Sequence, residues 1–183
     1  DVKTLRRENV ALESRLDVLS RMAVSEADGS KWLLENKREK LSGCLGEWIE
    51  VEPKYLPQIE FALGETLDAL VVSEISSVEE LSDALENASA GSALFAIASR
   101  NQNAEMVEKP VGVLGCASEF VSAKDSLGVL VKRLLSKWML VNSFEEAISF
   151  SERYASSDLW FVSPEIRAVH SSGLVRGGKT SAM

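Results

Sequence analysis

From Met139 to Val162 the chain reads MLVNSFEEAISFSERYASSDLWFV, and two periodicities alternate within it. Met139-Leu140-Val141 is a short apolar run that suits a strand. From Phe144 to Tyr154 the apolar residues return every three or four positions, as on one face of a helix. Leu159 to Val162 is a second strand-like run. Ser143 and Glu146 stand at the S-x-x-E spacing of a capping box, in which the serine hydroxyl accepts an N–H at the third helical position and the glutamate reaches back to the cap N–H. Strand, capped helix and strand in that order predict an α/β fold.

The same grammar runs through the preceding hundred or so positions. Trp48 to Val51, Ala69 to Val72 and Ala93 to Ile97 read as strands. Pro57 to Leu63, closed by Gly64, and Val78 to Asn87 read as helices, with proline tolerated in a first helical turn. Leu127, Leu130, Val131, Leu134 and Trp138 make one apolar helix face. Ser77-Val78-Glu79-Glu80 matches Ser143-Phe144-Glu145-Glu146, which suggests two related α/β lobes; capping boxes are also common enough for chance to produce the likeness.

Upstream the texture changes. Val2, Leu5, Leu12, Leu16, Leu19, Ala23 and Leu33 fall on alternating steps of three and four, with Asn9, Glu26 and Ser30 in the same register. This is a coiled-coil seam, which needs a partner helix from elsewhere. The register is expected to break at Asp28-Gly29, since glycine disfavours helix, and to resume as a short helix from Lys31 to Leu41.

Composition bounds the function. The chain has 183 residues, 45% of them apolar, and a net charge of −8, which argues against coating nucleic acid by bulk electrostatics. Up to Lys40 the nine basic and eight acidic residues nearly balance; the remaining eleven basic and twenty acidic residues carry the surplus. Cys44 and Cys116 show no metal-ligand or disulfide spacing and read as small buried residues of a reducing, cytoplasmic protein. No signal peptide and no apolar run of about 18 residues is found, so no membrane partner is expected. The one histidine, His170, has no triad or metal partner in sequence and reads as a surface or strand residue. Glu79, Glu80, Glu145 and Glu146 suit helix N-termini, and Trp32, Trp48, Trp138 and Trp160 suit core contacts.

GLVRGGKT, from Gly173 to Thr180, fits the phosphate-loop pattern G-x-x-x-x-G-K-[ST]. Such a loop works at a strand-to-helix turn whose N–H groups face the phosphates. Ser181 to Met183 cannot form that helix. A nucleotide-dependent enzyme using Gly173, Gly178, Lys179 and Thr180 would therefore need a helix beyond this sequence. Two basic islands, Lys124, Lys132, Arg133 and Lys137, and then Arg167, Arg176 and Lys179, are either solvated faces or local phosphate contacts.

Gly43-Cys44-Leu45-Gly46, then Tyr55, Ile59-Glu60 and Ala62-Leu63-Gly64, then Gly91-Ser92-Ala93-Leu94-Phe95, Gly112-Val113-Leu114-Gly115, Ala147 and Gly173 with Gly177-Gly178 occur in an order that resembles the hinge domain of structural maintenance of chromosomes (SMC) proteins. The likeness spans residues 29 to 178. Gln58 departs from it where a small residue is usual, and Ser163-Pro164-Glu165 replaces a common hairpin signal.

The resemblance implies an α/β (mixed α+β) two-lobed domain with mixed sheets and flanking helices. It assigns residues 1–41 to a coiled-coil arm with a connecting helix and 42–183 to the hinge, its lobes dividing near residue 120. It further implies a noncatalytic homodimer of two hinges paired through sheet edges, with Gly173, Leu174, Val175, Gly177 and Gly178 at the contact. A weak DNA contact would fall on Lys132, Arg133, Lys137, Arg176 and Lys179. No cofactor is expected in this chain, ATP and magnesium belonging to a distant head domain. The returning coiled-coil partner would begin after Met183, and the parent protein would act on the chromosome, in a nucleoid or nucleus.

Overall fold

The computed structural model describes residues 26–98, 107–124 and 126–178, so the heptad seam from Val2 to Ala23 lies outside the described residues. The frame is set by a hexapeptide that occurs twice: GCLGEW at 43–48 and GCASEF at 115–120. Each cysteine caps a 3-10 turn, Leu45–Trp48 or Ala117–Phe120, with its sulfur accepting the N–H of the glutamate three residues on. That glutamate's carboxylate accepts the cap N–H, at 3.3 Å for Cys44 and 3.2 Å for Cys116. Two orphan donors are thus satisfied locally in each copy, a capping box built on cysteine.

Each turn leads into a short strand, β1 (Ile49–Val51) or β5 (Val121–Ala123), and the two strands pair antiparallel. Their register, Ile49 with Ala123, Glu50 with Ser122 and Val51 with Val121, is symmetric about the middle pair. The repeats are therefore related by a local twofold axis through this ribbon.

From the ribbon each repeat continues in the same order. The first runs through helix α2 (Leu56–Leu63), β2 (Leu70–Val72), α3 (Ile75–Ala88) and β3 (Phe95–Ile97). The second runs through α4 (Leu127–Leu135), β6 (Trp138–Leu140), α5 (Phe144–Arg153) and β7 (Trp160–Ser163). Strands β2 and β3 are parallel, as are β6 and β7, because a helix intervenes in each pair. The two-residue β4 (Gly115–Cys116) lies antiparallel on β6, and Cys44 bridges Leu70 in the matching place. The second sheet is then extended by β8 (Arg167–His170) and β9 (Val175–Gly177), giving the order β4-β6-β7-β8-β9.

Strand alternation sorts the core into layers. Leu70 and Val72 face helix α1 (Glu26–Asn36) and α3, packing with buried Leu33, Leu81 and Leu85. Ala69 and Val71 face inward, meeting Ile59, Phe61, Val131 and Leu135 from α2 and α4. From the second sheet Leu140, Val162 and Ala168 join that central layer, while Met139, Phe161 and Val169 turn to α5. Trp138 stacks on Trp160 with centroids 5.1 Å apart, and His170 closes the row against Trp160 at 4.9 Å. Gln58 is buried in α2, and among the described residues no buried side-chain nitrogen or oxygen lacks a hydrogen-bond partner.

Four local expectations are corrected. Helix α1 runs unbroken through Asp28-Gly29, because Gly29 is where the helix meets Ser92: an added Cβ would stand within 3.0 Å of that residue's backbone. Ser77 does not cap α3, which starts at Ile75 behind Glu74, so its S-x-x-E spacing lies inside the helix. Ser143 does cap α5, its hydroxyl accepting from Glu146 N at 3.2 Å; Glu146 reaches one residue further back, to Asn142 N at 2.9 Å. Trp138 leaves the α4 face and opens β6, since the helix ends at Leu135.

Candidate dimer interface

The two sheets end differently. In the second, the outer edge of β7 is covered by antiparallel β8, and β9 follows as the edge strand. In the first, β3 occupies the place of β7, and among the described residues no strand covers its outer edge.

Strand β9 forms because β8 turns back at Ser171-Ser172-Gly173. Gly173 takes φ +93° and donates its N–H to His170 O at 2.8 Å, a conformation that glycine adopts without cost. His170 N donates to Leu174 O at 2.8 Å. By antiparallel alternation Arg176 then bonds with Ala168, and the amides of Val175 and Gly177 face the open side. Leu174 and Val175 are 64% and 61% exposed, an apolar pair at an unpaired edge. Gly178 sits at φ +113°, whereas Gly177 has ordinary φ and space: a Cβ there would meet only Arg167 Cγ, at 3.5 Å.

At the other edge, β3 and α4 enclose a groove of about 290 Å³ lined by Leu94, Phe95, Ile97, Leu130, Arg133 and Leu134. Leu94 is 42% and Leu134 36% exposed, so this floor is apolar and reachable. Sequence reading did not find this half of the site. Its residues look like ordinary core positions, and they are marked only by β3 having no outer neighbour among the described residues.

The basic residues separate. Lys132 and Arg133 are exposed in the last turn of α4. Lys137 forms an ion pair with Asp158, whose carboxyl is held below the usual range by that ammonium and then by His170, 3.0 Å away. Arg176 lies over the Phe61 ring. Lys179 lies outside the described residues, as does Thr180.

The phosphate-loop reading of 173–180 is not supported. Strand β9 occupies the middle of the pattern, so its backbone forms a ladder with β8 where a phosphate loop would curl around an anion. Among the described residues no group of three or more His, Cys, Asp or Glu could hold a metal ion, and no helix is long and apolar enough to cross a membrane.

Residues 38–151 match the family described as the SMC proteins flexible hinge domain. A chromosome partition protein Smc from Halothermothrix orenii is 31% identical over 79% of this chain, and one from Lactiplantibacillus plantarum is 27% identical over 96%. The chain spans only 13% and 15% of the length of these relatives. An asymmetric dimer of the Geobacillus stearothermophilus SMC hinge domain superimposes with TM-score 0.72 at 19% identity, covering 98% of this chain and 77% of that one. The Pyrococcus furiosus Smc hinge domain with an extended coiled coil gives 0.68 at 25% identity, covering 97% and 62%.

Proposed function

This chain belongs to the SMC hinge family, and from that premise we propose that it is a noncatalytic homodimerisation module joining two coiled-coil arms. The observation that carries the reading is that, among the described residues, two sheet edges of matching character stay open. Strand β9, with Leu174 and Val175, is an apolar edge; β3 borders an apolar groove. A twofold axis lets each β9 add to the partner's β3, so both edges close and no edge is left to propagate. The local symmetry supplies the orientation: β8 runs antiparallel on β7, and the partner's β9 takes the equivalent place on β3.

We divide the chain accordingly into an arm, 1–41, and a hinge, 42–183. The nucleotide chemistry of SMC proteins is placed in segments outside this chain, and the parent's work on the chromosome in partition. A weak DNA contact is assigned to Lys132, Arg133, Lys137, Arg176 and Lys179, for which Lys137 and Arg176 would first have to leave Asp158 and Phe61. Its binding should fall steeply with salt, and no binding at low salt removes it.

Sedimentation of the chain at micromolar concentration tests the dimer. Gly177→Val is the sharpest variant, because a Cβ at this position meets only Arg167 Cγ, at 3.5 Å, in the monomer and the residue stands on the pairing edge. A folded, monomeric Gly177→Val beside a dimeric wild type is the expected result. A wild type that stays monomeric sinks the proposal.

A further inference from the structure

Strand β9 is three residues long, exposed throughout and, among the described residues, bonded on one side only. Such short edges fray unless something else holds them. One side chain meets that need. Arg176 points to the sheet face opposite Val175 and Gly177, the face shared with its cross-strand partner Ala168 in the central layer. There its guanidinium carbon lies 4.6 Å from the centroid of Phe61, a 2% exposed ring in α2 of the first repeat. The same guanidinium also reaches Gly64, where an added Cβ would stand 3.2 Å from Nη2. Gly64 itself sits at φ +52° as α2 ends, so the backbone favours glycine there, and the absent Cβ leaves room for the guanidinium.

We propose that Arg176 is a positioning residue for dimerisation: a cation–π latch from the edge strand to the first repeat that holds β9 extended before a partner arrives. The inference rests on the dimer reading and adds to it. The latch acts through the face of the strand, so the N–H and C=O groups of the edge remain free for pairing. It fixes β9 in the isolated chain, so less ordering is left to be met on association. Arginine suits the task because its planar, weakly hydrated guanidinium lies flat on a ring. The latch also gives Arg176 a purpose on an acidic protein that does not depend on nucleic acid.

The test uses the 183-residue chain with Arg176→Ala, Arg176→Lys, Phe61→Leu and the double variant Arg176→Ala/Phe61→Leu. Three quantities are read: the dimer dissociation constant by sedimentation, hydrogen exchange of the backbone amide at position 176 at concentrations where the chain is monomeric, and the melting temperature. Arg176→Ala is expected to raise the dissociation constant about tenfold, two latches per dimer, which corresponds to about 1.4 kcal/mol. It should also speed exchange of the residue 176 amide while leaving the melting temperature close to wild type. Arg176→Lys should recover part of both effects, and the double variant should lose little beyond Arg176→Ala on exchange of β9. Unchanged exchange in Arg176→Ala overturns the latch and leaves the dimer standing. A monomeric wild type overturns the dimer and the positioning role with it, whatever the exchange shows.

Discussion

At the scale of single residues, the glycines answer to different demands. Gly173 and Gly178 are required by positive φ, with nothing within 4 Å of an added Cβ, while Gly29 is required by proximity inside a regular helix. Alanine is favoured over glycine in a helix by about 1 kcal/mol. Gly29→Ala should nevertheless destabilise the chain by about 1–3 kcal/mol in urea unfolding, because the methyl group meets the Ser92 backbone, which cannot swing away as a side chain can. Stabilisation by that substitution would show that α1 is not seated as described. Asp158 supplies a second case. Its pKa is lowered, first by the hydrogen bond from Lys137 and then by His170. A depressed carboxylate contributes stability that is present above its unfolded value, about 3.9, and lost as pH falls through the lower folded one. Asp158→Asn should therefore lower the melting temperature slightly near neutrality and converge on wild type as pH falls well below about 4, which flattens the acid limb of the profile. The group is exposed, so the effect is small.

At the scale of elements, two identical spacings lead to two different helix starts. The hydroxyl of Ser143 caps α5, and Ser143→Ala should cost about 1 kcal/mol in chemical denaturation. Ser77 lies in the first turn of α3 without capping it, and Ser77→Ala should be neutral or slightly stabilising, as alanine is the better helix former. Equal losses would restore both capping boxes. The strand–helix–strand stretch from Met139 to Val162 was readable because β6, α5 and β7 each follow their own period closely. The true repeat, GC-x-x-E followed by an aromatic residue, was harder to read: cysteine is not an expected cap, and a two-residue strand carries no periodicity. Strand β8 escaped for a related reason. It is entered through Ile166 at φ +57°, a β-branched residue in the left-handed region where turn signals lead one to expect glycine or asparagine.

At the scale of the whole molecule, the two repeats share one central layer: Ile59, Phe61 and Val71 from the first pack with Val131, Leu140 and Val162 from the second. Neither repeat can unfold without exposing that layer. Calorimetry on the dilute chain should show a single transition whose van't Hoff and calorimetric enthalpies agree, and Val131→Ala should lower it as a unit; two separable transitions would contradict the shared core. Leu134 stands outside this layer, 36% exposed in the groove beside β3. Leu134→Glu should weaken dimerisation at least tenfold in sedimentation while leaving that transition unmoved. The α/β alternation and most of the helix faces were legible along the chain, because periodicity is a local property written into neighbouring residues. Which edges stay open, that Gly29 is a contact and not a break, and that Arg176 lies on Phe61 emerged only from the folded arrangement. Those depend on which distant segments come together, and no spacing along the chain records that, among the described residues, β3 lacks a neighbour on its outer side.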